Sequence, residues 1–221
     1  MDDTTSHPVD DFDAGWQTVG RQYQPAIQVT SALIKLSGGG ERPVEVEQLA
    51  AASDRPVDET LALARQFLKV NVQEGLVHLG LSTAGTSARY RLQIGARTID
   101  AGGCAPDIVW MALLAGTPIH AQATCPATGS PIRVDFTPDG VERVEPPSSV
   151  IAVISPFAPQ LQQLSSREQA EADVCSQQPF FASAEAAADW QAQHPAGRIF
   201  PVREFFVWWG RFLTAVSVDI P

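Results

Sequence analysis

One of the three cysteines, at 104, 125 and 175, has an acid three residues on, in the string Cys104-Ala-Pro-Asp107. Proline suits a first helical turn, where its missing N–H costs nothing, so the string predicts a helix that opens at Cys104. The unsatisfied amides and the dipole of such a helix end favour a thiolate. Residues three apart share a helix face with Cβ atoms about 5–6 Å apart, so the Asp107 carboxyl can stand beside the Cys104 sulfur. A thiolate and a proton donor would then face one substrate. The plainer reading of the same string is a buried small thiol and an aspartate that merely caps the helix. Cys125, in Thr124-Cys-Pro-Ala-Thr-Gly, falls in a strand-to-turn segment and reads as a buried structural thiol. Cys175, in Asp173-Val-Cys-Ser-Gln-Gln-Pro-Phe-Phe, precedes an aromatic strand and has no local partner. There is no C-x-x-C pair, and the histidines at 7, 78, 120 and 194 do not complete a zinc-finger spacing.

The elements that must hold these residues read as an α+β protein in three parts. Residues 1–24 form an acidic flexible tail, with Asp2, Asp3, Asp10, Asp11 and Asp13 early in it. Residues 25–100 outline a winged-helix-like module. A helix from Ala26 stops at Ser37-Gly-Gly-Gly, and a short helix follows with Val44, Val46, Leu49 and Ala50. After the turn Ser53-Asp-Arg-Pro56 comes a third helix bearing Leu61, Ala64 and Leu68, then alternating stretches at 75–81 and 88–94 that predict a hairpin. Residues 101–221 form the core that carries all three cysteines. It opens with the helix at 104–114 and continues through an antiparallel sheet drawn from 119–123, 132–136, 141–144 and 150–154. A strand at Phe180-Phe181, a helix from Ser183 through Trp190 and an aromatic helix at 202–216 complete it. The Phe and Trp residues near 180–212 suit either an apolar pocket or a core.

At 221 residues, 44% hydrophobic and 18% charged, the chain can bury a core and is too apolar to be disordered. It has no uncharged apolar run of about 18 residues to cross a bilayer. A net charge of −10 argues against nucleic acid and anionic membrane surfaces as partners, leaving small molecules and other proteins. Residues 31–100 carry eight basic and eight acidic groups, so the winged-helix outline lacks the basic face of a DNA reader. Three cysteines without a signal-peptide pattern point to a cytoplasmic protein with reduced thiols.

Taken together and in order, three strings are similar to the organomercurial (alkylmercury) lyases. They are Gly103-Cys-Ala-Pro-Asp107, Thr124-Cys-Pro-Ala-Thr-Gly-Ser-Pro131, and Cys175 five residues ahead of Phe180-Phe-Ala-Ser183 with Trp190 beyond. The likeness runs from about residue 25 to 215. It implies a winged-helix-like module joined to a core of antiparallel sheet and helices. It also implies that Cys104, Cys175 and Asp107 are catalytic and that Cys125 is structural. Many members carry a second cysteine directly after the one matching Cys175; here that residue is Ser176.

The implied reaction is protonolysis of the carbon–mercury bond of alkyl- and arylmercury compounds, giving a hydrocarbon and Hg(II). Soft Hg(II) prefers two thiolates in near-linear geometry, which Cys104 and Cys175 would supply, with Asp107 a further candidate ligand. The carboxyl would accept a thiol proton and deliver it to carbon. A helix N-terminus lowers a carboxyl pKa whereas burial raises it, and a proton donor needs the second effect to win. The resemblance implies no dissociable cofactor, small thiols for product release and, by analogy, a mercuric reductase to receive the metal. Two other readings compete: a thiol-based metal-binding or metal-responsive protein that catalyses nothing, and a winged-helix transcription factor.

Overall fold

The computed structural model describes residues 8–80 and 89–220, a mixture of helices and antiparallel sheets. It begins with a helix, α1 (Pro8–Gln22), where the acidic composition predicts a flexible tail. Phe12, Trp16 and Val19 recur at helical spacing and are buried. Asp13 is not merely solvated: it accepts the indole N–H of Trp208 at 3.0 Å and pairs with Arg198 at 3.3 Å. The Arg198 guanidinium in turn lies 4.4 Å from the centre of the Phe12 ring. Three apolar anchors on one face thus outweigh the charges from Pro8 onward. Residues 1–7 of the expected tail lie outside the described residues.

Next come α2 (Gln24–Ser37), β1 (Val44–Glu45), α3 (Val46–Ala52), α4 (Val57–Phe67), β2 (Val70–Gln73) and β3 (Leu76–Leu79). Gly38 ends α2 in the left-handed region, at φ 61°, where glycine avoids the Cβ penalty. The three strands pair antiparallel in the order β1-β3-β2. The hairpin therefore joins β2 to β3 through Glu74-Gly75, both at positive φ.

The expected hairpin between 75–81 and 88–94 is not formed, and its connecting residues 81–88 lie outside the described residues. Instead, β4 (Tyr90–Ile94) folds back through the two-residue Gly95-Ala96 loop onto β5 (Arg97–Ala101), and on its other edge pairs with β6 (Ile119–Thr124). Alternation marks a strand but does not name its partner. With β7 (Pro131–Thr137) and β8 (Gly140–Glu145) these strands make a five-stranded sheet ordered β5-β4-β6-β7-β8. The sheet runs across residue 100: β4, read as part of the module, hydrogen-bonds with β6 as well as with β5.

The helix α5 (Ala105–Leu114) connects β5 to β6. The next strand, β9 (Val150–Val153), leaves that sheet and forms the centre of a third one. All four of its residues are buried, which explains why its sequence is a continuous apolar run rather than an alternating one. It is flanked by β10 (Phe180–Phe181) and β11 (Arg198–Pro201). Between β9 and β10 lie α6 (Pro159–Gln162), α7 (Arg167–Gln169), a π turn (Ala170–Val174) and a 3-10 turn (Cys175–Gln177).

The helix expected from Ser183 begins only at α8 (Ala188–Gln193), and Ser183 instead caps the preceding turn by accepting the Ala186 N–H at 3.2 Å. Last is α9 (Val202–Ala215), whose Phe205, Trp209, Phe212 and Leu213 are buried. Trp16 of α1 meets Trp209 and Phe212 edge to face, each with ring centres 6.0 Å apart. No helix among the described residues is long and apolar enough to cross a membrane.

Candidate active site

Cys104 is the residue that caps α5, in extended backbone before the first turn. Its N–H donates to Asp107 Oδ2 at 2.9 Å, while the Asp107 N–H is directed at the Cys104 side chain. This reciprocal capping box fixes the carboxylate over the sulfur. Capping and chemistry, alternatives in the sequence, are compatible here because one oxygen serves both.

Gly103 makes the arrangement sterically allowed. It has φ +85°, and a Cβ built on it would lie 2.7 Å from Asp107 Oδ2. Gly103→Ala is therefore expected to push the carboxylate aside and lower turnover by about 10²-fold, the order of loss that follows a misplacement near 1 Å. Steady-state kinetics alongside a melting curve would separate that effect from the cost of the strained backbone.

Cys175 arrives from the far side of the sequence. It is buried at the junction where the π turn tightens to 3-10, an irregularity frequent at functional sites. Several hydrogen bonds hold this turn. Arg89 Nη1 donates to the Cys175 carbonyl at 2.9 Å, and the Ala105 N–H donates to the Gln178 carbonyl at 2.9 Å, tying the turn to the start of α5. Trp190 Nε1 donates to the Gln177 carbonyl at 2.7 Å, and His194, stacked on Trp190, meets Gln177 Oε1 at 2.9 Å. As a result the Cys175 thiol donates to Asp107 Oδ2 at 3.5 Å. The two sulfurs and a carboxylate oxygen all lie within 4.8 Å of one another.

Burial governs the electrostatics. It pushes the Cys104 thiol well above the ordinary cysteine value, reinforced by the neighbouring Cys175 and Asp107. Asp107 is also raised: burial outweighs the stabilising hydrogen bonds from Cys104 and Cys175, and Glu171 adds to the rise. For Cys175 the hydrogen bond from Cys104 is the largest influence and lowers its pKa, yet burial and the charges of Asp107 and Glu171 leave it raised. The tension between helix end and burial is thus resolved toward a carboxyl able to hold a proton. The phenol of buried Tyr90 is likewise pushed well up, by burial first and then by Cys104 and Asp107.

Cys125 stands apart from this cluster, in the β6–β7 turn. It is buried, its N–H donates to the Ser130 carbonyl at 2.8 Å, and its carbonyl accepts from Gly129 at 2.9 Å. Burial acts to raise its thiol, but hydrogen bonds from Thr128 and from nearby backbone N–H groups leave it lowered overall. Cys125→Ser is expected to cost about 1–3 kcal/mol in chemical denaturation, with turnover per folded molecule retained. Ser176 is exposed, and its hydroxyl donates to the Ala172 carbonyl rather than into the cluster.

A cavity of about 320 Å³ opens over the three groups. Besides Cys104, Asp107 and Cys175 its wall is largely apolar, and it includes Trp16, Trp110, Trp209 and Phe212. Exposed Lys69 and Glu171 also line it, so it reaches solvent on their side. Arg89, Tyr90 and Trp16 escaped the sequence reading, and Gly103 entered it only as part of the string that carries the resemblance, with no role of its own. Of these four only Gly103 carried a signal, as the residue directly before the Cys-x-x-Asp string.

Two thiols and a carboxyl converging in a largely apolar cavity, on a fold of helices and antiparallel sheets, define a thiol-based site for a soft metal or its organic derivative. The sequence profile described as MerB, alkylmercury lyase, matches residues 81–212. Alkylmercury lyase of Bacillus cereus is 30% identical over 180 residues, covering 79% of this chain and 75% of the relative. That of Staphylococcus epidermidis is 31% identical over 176 residues, covering 79% and 76%. The crystal structure of the mercury-bound form of MerB2 shares the fold, with a TM-score of 0.58 at 21% identity, over 94% of this chain and 100% of that one. The chain belongs to the alkylmercury lyase family.

Proposed function

We propose that Cys104, Asp107 and Cys175 are the catalytic residues of this alkylmercury lyase. The enzyme cleaves the carbon–mercury bond of organomercurials, the activity of its family. The observation that carries the residue assignment is Asp107 Oδ2, 3.5 Å from the Cys175 sulfur and bonded to the cap formed by Cys104. In the reaction as we read it, R–Hg⁺ enters the cavity and a sulfur–mercury bond forms as Asp107 takes the thiol proton, beginning with Cys175, whose S–H is already directed at it. The second thiol adds to the metal and releases its own proton. Asp107 then delivers a proton to carbon as the carbon–mercury bond breaks, its electron pair forming the new C–H bond. RH departs, Hg(II) stays on two sulfurs, and no oxidation state changes. One proton goes to the hydrocarbon and the other to solvent. Small thiols in solution then exchange onto the metal and return protons to both cysteines, and a mercuric reductase is the receiver we infer from the family.

The order α2, β1, α3, α4, β2, β3 with its β1-β3-β2 sheet supports reading residues 24–80 as a winged-helix-like module, with α1 and residues 89–220 as the catalytic core. Ala26, Ile27, Thr30 and Ile34 of α2 and Phe67 of α4 line the cavity, which fits a module serving as a wall of the active site. The overall negative charge and thiol chemistry fit a cytoplasmic enzyme.

The decisive test is to incubate the purified protein with phenylmercury and excess thiol and assay for benzene. Catalytic release of benzene is the expected result. Retention of intact phenylmercury on the protein, without benzene, would favour a metal-binding protein instead.

A further inference from the structure

We infer that Trp16, on the amino-terminal helix α1, is a specificity-determining residue: with Trp209 and Phe212 it forms the subsite for the organic group and selects aryl over methyl mercurials. The inference rests on the lyase reading above and adds to it the part of the substrate that α1 recognises. A path of contacts leads from the chemistry to this helix. Trp110 follows Asp107 by three residues and so shares its face of α5. It meets Trp209 edge to face at 6.3 Å, and Trp209 meets Trp16 in the same manner at 6.0 Å. All four residues line the one cavity.

The sulfurs and carboxylate occupy only part of that wall, so mercury held by Cys104 and Cys175 leaves its carbon substituent to the apolar remainder. The size is informative. An apolar cavity of about 150 Å³ holds one benzene, and this one, at about 320 Å³, has room for an aryl ring together with the metal. A methyl group would leave most of the aromatic wall without a partner. The polar atoms agree with an apolar occupant. The indole nitrogens of Trp16 and Trp209 have no hydrogen-bond partner among the described residues and are themselves buried, so neither presents a donor to the cavity, and Trp16 meets Trp209 and Phe212 edge to face. This wall offers ring surface rather than hydrogen bonds, which suits an unsubstituted or alkyl-substituted aryl group.

The test compares kcat/KM for phenylmercury and methylmercury, with excess thiol, in the full-length wild-type protein and in Trp16→Leu, Trp16→Phe and Phe212→Leu. Trp16→Leu is expected to lose about tenfold on phenylmercury and less than about twofold on methylmercury, with Trp16→Phe recovering most of the loss. Phe212→Leu should show the same selective loss from the opposite side, which keeps the question answerable if Trp16→Leu does not fold. Equal losses on both substrates would make the residues structural and overturn the inference, as would no loss on phenylmercury. A wild-type protein that cleaves both substrates keeps that outcome distinct from failure of the lyase reading, in which neither substrate would be cleaved.

Discussion

Asp107→Asn should bind organomercury and fail to cleave it. Asparagine keeps an oxygen that can accept the Cys104 N–H, now found at 2.9 Å from Asp107 Oδ2, so the helix cap survives. Both thiols remain to grip the metal, but no group is left to pass a proton to carbon. Loss of a positioned acid costs about 10²–10⁴-fold in rate, and loss of thiol activation by the same carboxyl would add to that. The protein should therefore carry an intact protein–Hg–R adduct, visible by mass spectrometry, and Asp107→Ala should behave alike with a weaker cap. Hydrocarbon release at near wild-type rate by either variant would remove Asp107 from the mechanism.

The same substitution makes a prediction about stability. Because the Asp107 pKa is raised by burial, the folded protein holds its proton to higher pH than the unfolded chain does. The stability this contributes is present in full below the unfolded value of about 3.9 and is lost as pH rises through the folded value. Above the unfolded value, burial of this group works against folding. Asp107→Asn should accordingly melt no lower than wild type at neutral pH, and its advantage should shrink as the pH is brought down toward 4.

Cys104→Ser and Cys175→Ser should each abolish turnover, by at least about 10²-fold, and the double variant should be no worse than either alone. A serine hydroxyl is a hard, weakly acidic ligand that neither displaces thiol from mercury nor gives up its proton to a carboxylate. Groups that act as one unit lose their effect together, which is why the two losses should not multiply. Mercury titration should show one strong thiolate ligand remaining in each single variant. If Cys175→Ser retained activity while a well-folded Cys125→Ser lost it, the roles of those two cysteines would have to be exchanged.

Local strings carried a large share of the site. Cys104-Ala-Pro-Asp107 contains its own helix start, its own cap and its own face, all determined within one turn, so Cys104 and Asp107 were legible together. Cys175 was legible only through resemblance, since nothing in Asp173-Val-Cys-Ser-Gln says which distant residue it meets. Its convergence depends on the Arg89 bond to its carbonyl and on the Ala105–Gln178 bond, pairings between segments more than 70 residues apart in sequence.

The fold divided along the same line. Helices α2 to α5 and α9 and the β6–β7 and β7–β8 connections were readable because capping, breakers and periodicity act over a few residues. Strand partners were not: β4 alternates as a wing strand would, yet its edge is taken by β6, and β9 leaves the expected sheet for one of its own. The sequence by itself determined the reactive groups, the helix that presents two of them, and an apolar content sufficient for a core. Tertiary structure alone decided that Cys175 would meet Asp107, that an acid-rich amino terminus would dock as α1, and that Trp16 would wall the cavity. Those outcomes come from packing and hydrogen bonds between residues far apart in the chain, whose free energy appears only once the chain has folded.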